Sequence, residues 1–337
     1  FFPHNYNKHT LTIFSSLLVL YMKNLLVTGG CGFIGSNFIN YIHPKKNYNI
    51  FNLDAMYYAA DKNNIRESIR NSESYHLIEG NLCSQDLIHY ILKTHKIDIV
   101  IHFAAQSHVQ NSFDDSLQYT KDNILGTHVL LECCRQYGKI ERFIHVSTDE
   151  VYGESMNEVS EQSKTEQSIL CPTNPYAATK AGAELITQSY NHSFKMPIII
   201  SRGNNVYGPN QYPEKLIPRF IQQLKNDQKV TIQGEGTAVR AFLHVYDTAR
   251  AFECILEKGQ IGEIYNIGCD EKMEYSVMEV AKILIEHIKK TTDYDRWITY
   301  IEDRPFNDQR YYISNEKLKK LGWNITVDFM DGIKNLL

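Results

Sequence analysis

The chain has 337 residues, of which 43% are hydrophobic and 22% charged, so it is long enough for one or two ordinary globular domains. Its formal net charge is -4 and no block of basic residues stands out, which argues against a nucleic-acid partner. The seven cysteines are scattered without a CxxC pair, so we expect free thiols in a cytoplasmic protein and no metal site.

The segment before the first predicted strand contains an apolar run at residues 11–20. This run is too short to span a bilayer, and its flanks lack the small-residue cleavage site of a signal peptide. Met22 stands directly before a buried-strand pattern. We therefore expect Met22 to be the functional start, residues 1–21 to be an extension outside the fold, and the protein to have no membrane partner.

The first part of the chain alternates predicted strands with predicted helices. Strands are predicted at 23–28, 48–53, 75–78, 97–105, 142–147 and 198–201, and helices at 36–42, 84–94, 123–137 and 176–190. The nearly continuous apolar run at 97–105 is typical of a strand buried on both faces of a parallel sheet. This alternation predicts an α/β fold with a doubly wound parallel (Rossmann) sheet over residues 22–203.

Residues 204–337 have a different texture, with Pro, Gly and Asn clustered at 208–213 and shorter, mixed segments. Ser276 and Glu279 form a capping box that opens a helix, and Gly322 is placed to end a short helix. We expect a smaller mixed α/β lobe that binds the substrate. Residues at about 240–260 are expected to return to the first domain.

Three glycines, Gly29, Gly32 and Gly35, lie between the first strand and the first helix. Glycine lets the backbone approach a pyrophosphate, and the following helix N-terminus offers free N–H groups. Asp54 ends the second strand. A carboxylate at this position accepts hydrogen bonds from the ribose hydroxyls and repels a 2′-phosphate. We therefore predict NAD as the cofactor. Asn81, which ends the third strand, is expected to contact the adenine.

Tyr176 and Lys180 stand at i and i+4 of a predicted helix and so share one face. A Lys ammonium and the positive nicotinamide favour the phenolate over a phenol whose ordinary pKa is about 10. The phenolate can then take a proton from a sugar hydroxyl while a hydride leaves to NAD. Asp149 and Glu150, just after the fifth strand, add a second capacity to move protons.

Several longer motifs resemble the nucleoside-diphosphate-glucose 4,6-dehydratases, which belong to the extended short-chain dehydrogenase/reductases. They are TGGCGFIG at 28–35, HFAAQSHV at 102–109, NILGT at 123–127, STDEVYG at 147–153, NPYAATK at 174–180, RGNNVYGPNQYPEKLIP at 202–218 and RPFNDQRY at 304–311. The resemblance covers residues 23 to about 334. The last two motifs are most similar to UDP-glucose 4,6-dehydratases of rhamnose synthesis, with the dTDP-glucose enzymes next.

The resemblance implies a role for each matching residue. Thr148 would bond the sugar, Asp149 act as acid and Glu150 as base, with Tyr176 and Lys180 serving hydride transfer. The residues expected to contact the cofactor, besides those named above, are Phe33, Ile34, Leu82, Phe103, Ala104, Ala105 and Gln106. The residues expected to hold the nucleotide sugar are His108, Asn205, Lys215, Leu216, Arg240, Asn266, Arg304 and Asn307. Arg240 would clamp the diphosphate, because its planar fork matches phosphate oxygens.

The order of chemical steps follows from acidity. The C5 hydrogen becomes acidic only after C4 is oxidised to a ketone, so Glu150 could remove it as Asp149 protonates the departing C6 hydroxyl. Adjacent carboxylates also raise each other's proton affinity, which keeps the acid protonated. The expected product is a 4-keto-6-deoxy sugar, with NAD regenerated.

Two other functions use the same scaffold. A 4-epimerase or decarboxylase needs the Tyr/Lys pair but has no use for the two acids, and a non-catalytic NAD sensor needs neither. His108 could also be a satisfied core histidine. The resemblance further implies a homodimer in which the helices at 123–137 and 176–190 meet a partner's copies. The sequence does not decide between UDP and dTDP.

Overall fold

The computed structural model describes residues 22–155, 163–302 and 308–337. The predictions for residues 1–21 and for Arg304 and Asn307 lie outside these ranges. Within them, no helix combines the length and the apolar character needed to cross a bilayer.

Seven strands of the described residues form one parallel sheet in the order β10-β6-β5-β4-β1-β2-β3. The strands are β1 Lys23–Thr28, β2 Tyr48–Asp54, β3 Tyr75–Glu79, β4 Ile99–His102, β5 Arg142–Thr148, β6 Ile198–Gly203 and, after three strands of other sheets, β10 Ile264–Ile267. The predicted doubly wound α/β sheet is confirmed. The strand order reverses between β1 and β4, which is where such folds open a ligand crevice beyond the carboxyl ends of the strands.

The apolar sequence of β1 explains its central place in the sheet. Leu25 and Val27 pack into the core on one face, Leu26 packs into the core on the other, and all three are fully buried. Alternate side chains of a strand point to opposite faces, so an unbroken apolar run needs helices on both sides. The helices of this part of the chain are α1 Phe33–Ile42, α2 Glu67–Arg70, α3 Gln85–Thr94, α4 Val109–Asp114, α5 Ser116–Tyr119, α6 Gly126–Tyr137 and α7 Pro175–Phe194.

Two predicted elements have different bounds in the structure. The strand predicted at 97–105 is limited to β4, because the chain leaves the sheet after His102 to form the crevice wall. The helix predicted from residue 123 begins earlier, as a π-helical segment at Thr120–Leu125 that continues into α6.

The later part of the chain builds two small sheets and returns once to the large one. The remaining strands are β7 Asn205–Tyr207, β8 Val230–Gln233, β9 Val239–His244, β11 Glu274–Ser276 and β12 Ile298–Ile301, which pair as β11-β9-β7 and β12-β8. The remaining helices are α8 Leu216–Lys225, α9 Val245–Lys258, α10 Val277–Lys289, α11 Glu316–Lys320 and α12 Phe329–Lys334. Helix α9 packs on α1, and β10 pairs with β6. Residues 245–267 are therefore part of the structure that is built around the large sheet.

Candidate active site

A cavity of about 350 Å³ lies at the carboxyl ends of the central strands. Most of the predicted functional residues line it. They are Gly29, Gly32, Phe33, Ile34, Gly35, Asp54, Asn81, Leu82, Phe103, Ala104, Ala105, Gln106, Thr148, Asp149, Glu150, Tyr176, Lys180, Asn205 and Lys215. The structure therefore brings every predicted cofactor and catalytic residue to one site.

The glycine loop is packed so tightly that side chains would not fit in it. Gly29 has φ +72°, and a Cβ there would lie 2.6 Å from the backbone of Ala104. A Cβ on Gly35 would lie 2.4 Å from the carbonyl oxygen of Gly29. At Gly32, the N-cap of α1, the nearest protein atom would be 3.3 Å away, so this position is open towards the cavity. The first N–H groups of α1 have no acceptor within the helix and are suited to bind an anion there.

Asp54 has a structural task that the sequence did not reveal. Its Oδ2 accepts the Cys31 N–H at 2.8 Å and its Oδ1 accepts the Met56 N–H at 2.9 Å. Burial raises the pKa of this carboxyl group, and the two backbone bonds oppose that shift. Asp54 thus holds the glycine loop in place while lining the cavity.

Beyond Asp54, the cavity rim contains two residues that the sequence did not indicate, Tyr57 and Asp122. Asn81 donates from Nδ2 to the Tyr57 hydroxyl at 2.8 Å, and Gln106 donates from Nε2 to Asp122 Oδ2 at 2.9 Å. Tyr57 and Asp122 both line the cavity. No sequence motif singled them out, because each is brought to the rim by tertiary packing.

Tyr176 and Lys180 lie on the first turns of α7 and are buried, with exposed fractions of 8% and 4%. Lys180 donates from Nζ to the Val146 carbonyl at 2.6 Å, and burial lowers its pKa to about 8. Burial, followed by the charge of Glu150, raises the pKa of Tyr176, although a bond with Thr148 opposes the shift. The prediction that Lys180 and the nicotinamide favour the phenolate stays a prediction, because within the protein alone burial and the two carboxylates act in the opposite direction.

Asp149 and Glu150 begin a 3-10 turn, Asp149–Tyr152, directly after β5. Thr148 caps this turn by accepting the Glu150 N–H at 3.3 Å, and its hydroxyl donates to Asp149 Oδ1 at 3.1 Å. Burial, and then the charge of Glu150, raises the pKa of Asp149 to about 7. The effect of Glu150 on Asp149 has the predicted direction, with burial as the larger cause, whereas the pKa of Glu150 is raised by burial and by Asp308.

Some of the residues predicted to hold the substrate line the cavity and others do not. Asn205 and Lys215 line the cavity, and Lys215 donates from Nζ to the Ser107 carbonyl at 2.9 Å. His108 and Leu216 lie beside lining residues but do not themselves line the cavity. His108 Nδ1 is 2.8 Å from Asn111 Oδ1 and 3.8 Å from Glu214.

Arg240 and Asn266 are not among the residues that line the cavity. Arg240 donates to the Val239 carbonyl at 2.8 Å and lies over the Tyr311 ring at 5.4 Å. Asn266 is fully buried, and its side chain accepts the Tyr152 hydroxyl at 2.8 Å. In this structure Asn266 therefore joins a buried network rather than the cavity. Arg304 and Asn307 lie outside the described residues.

Across residues 22–155, 163–302 and 308–337, no group of three or more His, Cys, Asp or Glu side chains is placed to hold a metal ion.

Known proteins resemble this chain over most of its length. The family described as GDP-mannose 4,6 dehydratase matches residues 26–336. A trifunctional UDP-glucose 4,6-dehydratase/UDP-4-keto-6-deoxy-D-glucose 3,5-epimerase/UDP-4-keto-L-rhamnose-reductase of Arabidopsis thaliana is 48% identical over 94% of this chain and 46% of its own length. The chain thus spans about half the length of this relative.

A human dTDP-D-glucose 4,6-dehydratase is 44% identical over 94% of this chain and 89% of its own length. The crystal structure of the dTDP-glucose 4,6-dehydratase DesIV from Streptomyces venezuelae, with NAD bound, superposes with a TM-score of 0.86. That protein is 34% identical, with 93% of this chain and 95% of the other covered. The chain belongs to the nucleotide-sugar 4,6-dehydratase family of extended short-chain dehydrogenase/reductases.

Proposed function

We propose that this chain is an NAD-dependent 4,6-dehydratase of a nucleoside-diphosphate glucose, with UDP-glucose as the first candidate and dTDP-glucose as the second. One observation carries the proposal: Asp149 and Glu150 share a cavity with Tyr176, Lys180 and the glycine loop. A 4-epimerase would use the Tyr/Lys pair but would have no task for these two acids.

The residues at the glycine end fit NAD. Gly32 leaves open space at the N-terminus of α1 for a pyrophosphate, and the Asp54 carboxylate can accept ribose hydroxyls. Asn81, with Tyr57 beside it, is proposed to meet the adenine. Bound NAD would accept a hydride from C4 of the sugar, return it to C6, and place a positive ring near Tyr176.

Tyr176 is proposed to take the proton of the C4 hydroxyl. The buried Lys180 ammonium is held by the Val146 carbonyl, one turn along α7 from Tyr176. Its charge favours the phenolate against the burial that raises the pKa of Tyr176. Thr148, which hydrogen-bonds the Tyr176 side chain, is proposed to bind the same sugar hydroxyl.

Asp149 and Glu150 are proposed to carry out the elimination. Once C4 is a ketone, Glu150 removes the C5 proton and Asp149 protonates the departing C6 hydroxyl, so one water leaves. A carboxyl group with a pKa of about 7 holds its proton near neutral pH and can still release it. C5 is then reprotonated, which completes the 4-keto-6-deoxy sugar.

The nucleotide-sugar contacts are proposed from the lobe that faces the carboxylates. Asn205 and Lys215 line the cavity. The other proposed contacts are His108, Leu216, Arg240, Asn266, Arg304 and Asn307. Among these, Arg240 acts electrostatically on both acids, since its charge lowers the pKa of Asp149 and of Glu150.

Mass spectrometry of the product tests this function. Incubation with UDP-glucose and, separately, dTDP-glucose is expected to give a product lighter by one water, with faster turnover of UDP-glucose. An epimerase product would keep the substrate mass. In deuterated water the dehydrated product should also gain one deuterium at C5. Unchanged substrate in both reactions, or a product of unchanged mass, would contradict the proposal.

We also propose a homodimer, supported by exposed apolar side chains in the segment from α5 to α6 and on α7. Leu117, Leu125, Leu185 and Phe194 are exposed to 81%, 48%, 56% and 50%. Large exposed apolar surfaces favour burial against a partner, and we propose that these side chains contribute to one. Sedimentation should give twice the chain mass, and Leu185→Glu should shift the protein towards monomer.

A cytoplasmic location is proposed from the state of the thiols. All seven cysteines lie in the described residues and are free, and burial raises the pKa of several, for instance that of Cys31 to about 12. Free thiols are usual in a reducing compartment. Fractionation of the source cells with an antibody to this chain would test the location.

A further inference from the structure

Asn174 precedes α7, and both ends of its side-chain amide are engaged. Its Oδ1 accepts the Ala177 N–H at 2.9 Å, which caps the helix that carries Tyr176. Its Nδ2 donates to Glu150 Oε2 at 3.0 Å. Because the backbone N–H determines which end of the amide is oxygen, the other end must present an N–H to the carboxylate. Asn174 is 6% exposed and does not line the cavity.

From this geometry we propose that Asn174 is a positioning residue, which holds the general base Glu150 against the helix of Tyr176 and keeps the base ready to accept a proton. This role rests on the dehydratase function proposed above. Asn174 acts through Glu150 and does not touch the substrate.

The charged surroundings of Glu150 give this bond its weight. Burial raises the pKa of Glu150, and Asp308 raises it further. Asn174 is the strongest group that lowers it, ahead of Arg240 and Lys215. The other ionisable groups facing Glu150 are Asp149, Tyr176 and Tyr311, whose hydroxyl is 3.5 Å from Glu150 Oε2. A neutral donor in this position stabilises the ionised base without adding a competing charge.

Asp149 has a counterpart to Asn174 on the opposite side of the site. Asn204 accepts the Cys269 N–H on Oδ1 at 2.9 Å and donates from Nδ2 to Asp149 Oδ2 at 2.6 Å. Each carboxylate is thus met by an asparagine whose orientation is set by a backbone N–H. Asn204 therefore offers a matched variant in which the acid, rather than the base, loses its amide partner.

Asn174→Ser tests the proposal, because serine can cap α7 but is too short to reach Glu150. Loss of the donor should raise the pKa of Glu150, so the acidic limb of the kcat–pH profile should move up by about one pH unit. KM should change little, and the melting temperature should stay near that of the wild type. Asn174→Asp, which keeps the cap and faces Glu150 with a charge, should move the same limb further.

Two controls separate this role from helix stability. Asn204→Ser should move the alkaline limb instead, because it acts on Asp149. Ser276→Ala removes the cap of α10, a helix that carries none of the proposed catalytic residues, and should move neither limb. An Asn174→Ser enzyme with a wild-type acidic limb would overturn the proposal, and so would an equal shift in Ser276→Ala.

A measurement without turnover keeps this inference distinct from the proposed function. In the NAD-bound protein with ¹³C-labelled glutamate carboxyl groups, the signal missing from Glu150→Gln identifies Glu150. Its titration midpoint should rise in Asn174→Ser, and an unchanged midpoint would overturn the proposal even if the wild type dehydrates no sugar. Absence of dehydrated product from the wild type would contradict the proposed function alone.

Discussion

The two ends of the cavity are built on different principles. At the glycine end, β1, its loop and α1 offer backbone N–H groups. Side chains are excluded there because, for instance, a Cβ on Gly35 would collide with the Gly29 carbonyl oxygen. At the carboxylate end, ionisable side chains are buried and shifted, with the pKa of Asp149 raised to about 7 and that of Lys180 lowered to about 8.

This difference shows which parts of an active site are local. A glycine loop depends on residues that are neighbours in sequence, so its steric requirements can be read along the chain. The acidity of Asp149 depends first on burial, which only folding creates, then on its neighbour Glu150, and then on Asn204, which is distant in sequence and close only after folding.

Glu150→Gln should have the largest effect and breaks the carboxylate end alone. Product formation should fall by about a hundredfold to ten-thousandfold, because the C5 proton loses its base. The glycine end is untouched, so NAD should remain bound and reduced-nicotinamide absorbance should appear on addition of UDP-glucose.

Tyr176→Phe is the control for that experiment. It removes the group proposed to act on the C4 hydroxyl, so neither product nor reduced-nicotinamide absorbance should appear. Equal behaviour of the two variants would contradict the division of tasks between Tyr176 and Glu150.

Gly32→Ala and Gly35→Ala sharpen the view of the glycine end. A Cβ at Gly35 collides with backbone, so this variant should lose both thermal stability and NAD affinity, the latter by roughly tenfold or more. A Cβ at Gly32 meets only the Gly29 carbonyl at 3.3 Å, so the melting temperature should be nearly unchanged. Calorimetric NAD binding should nevertheless weaken for Gly32→Ala if the pyrophosphate lies there, and wild-type affinity would contradict that placement.

Asp149→Asn tests the cost of burying an acid. The pKa of this group is raised from 3.8 to about 7 in the folded chain, so the folded state holds the proton more tightly and loses stability as pH rises between these values. The variant should therefore exceed the wild type in free energy of unfolding at pH 8 by roughly 1–3 kcal/mol. The gain should vanish below about pH 4. Denaturant unfolding at both pH values measures it, and a gain independent of pH would contradict the shift.

Tyr57→Phe should have the smallest effect. It removes the hydroxyl that meets Asn81 at the half-exposed rim, so NAD affinity should fall by about two- to fivefold, the value of one exposed neutral hydrogen bond. Activity at saturating NAD should be unchanged. A loss as large as that expected for Gly35→Ala would mean that the rim and the loop act together.

Much of the large sheet and of the glycine loop could be predicted from the sequence. Six strands of the large sheet and the glycine loop were located by apolar runs and by glycines in the right context. The strand β10 was missed as a member of this sheet, because four residues, Ile264–Ile267, contain no periodic signal. Its place is decided by pairing with β6, which is a tertiary contact.

At the candidate site, residue identities could be predicted better than their electrostatic state. Tyr176 and Lys180 were located by helical spacing, yet the burial that raises the pKa of Tyr176 was not foreseen, because burial is not visible in spacing. Asn174 and Asn204 were not identified as partners of the acids. Nothing in the sequence shows that their amides reach Glu150 and Asp149.

The pairing of β10 with β6 has a practical consequence for the design of shorter fragments of this protein. A fragment ending at residue 203 would contain the whole glycine loop and every proposed catalytic residue, but β6 would become a bare edge of apolar residues, Ile198, Ile199 and Ile200. Exposed apolar edge strands recruit other chains and aggregate. A minimal NAD-binding fragment should therefore extend through Ile267, so that the chain supplies its own last strand.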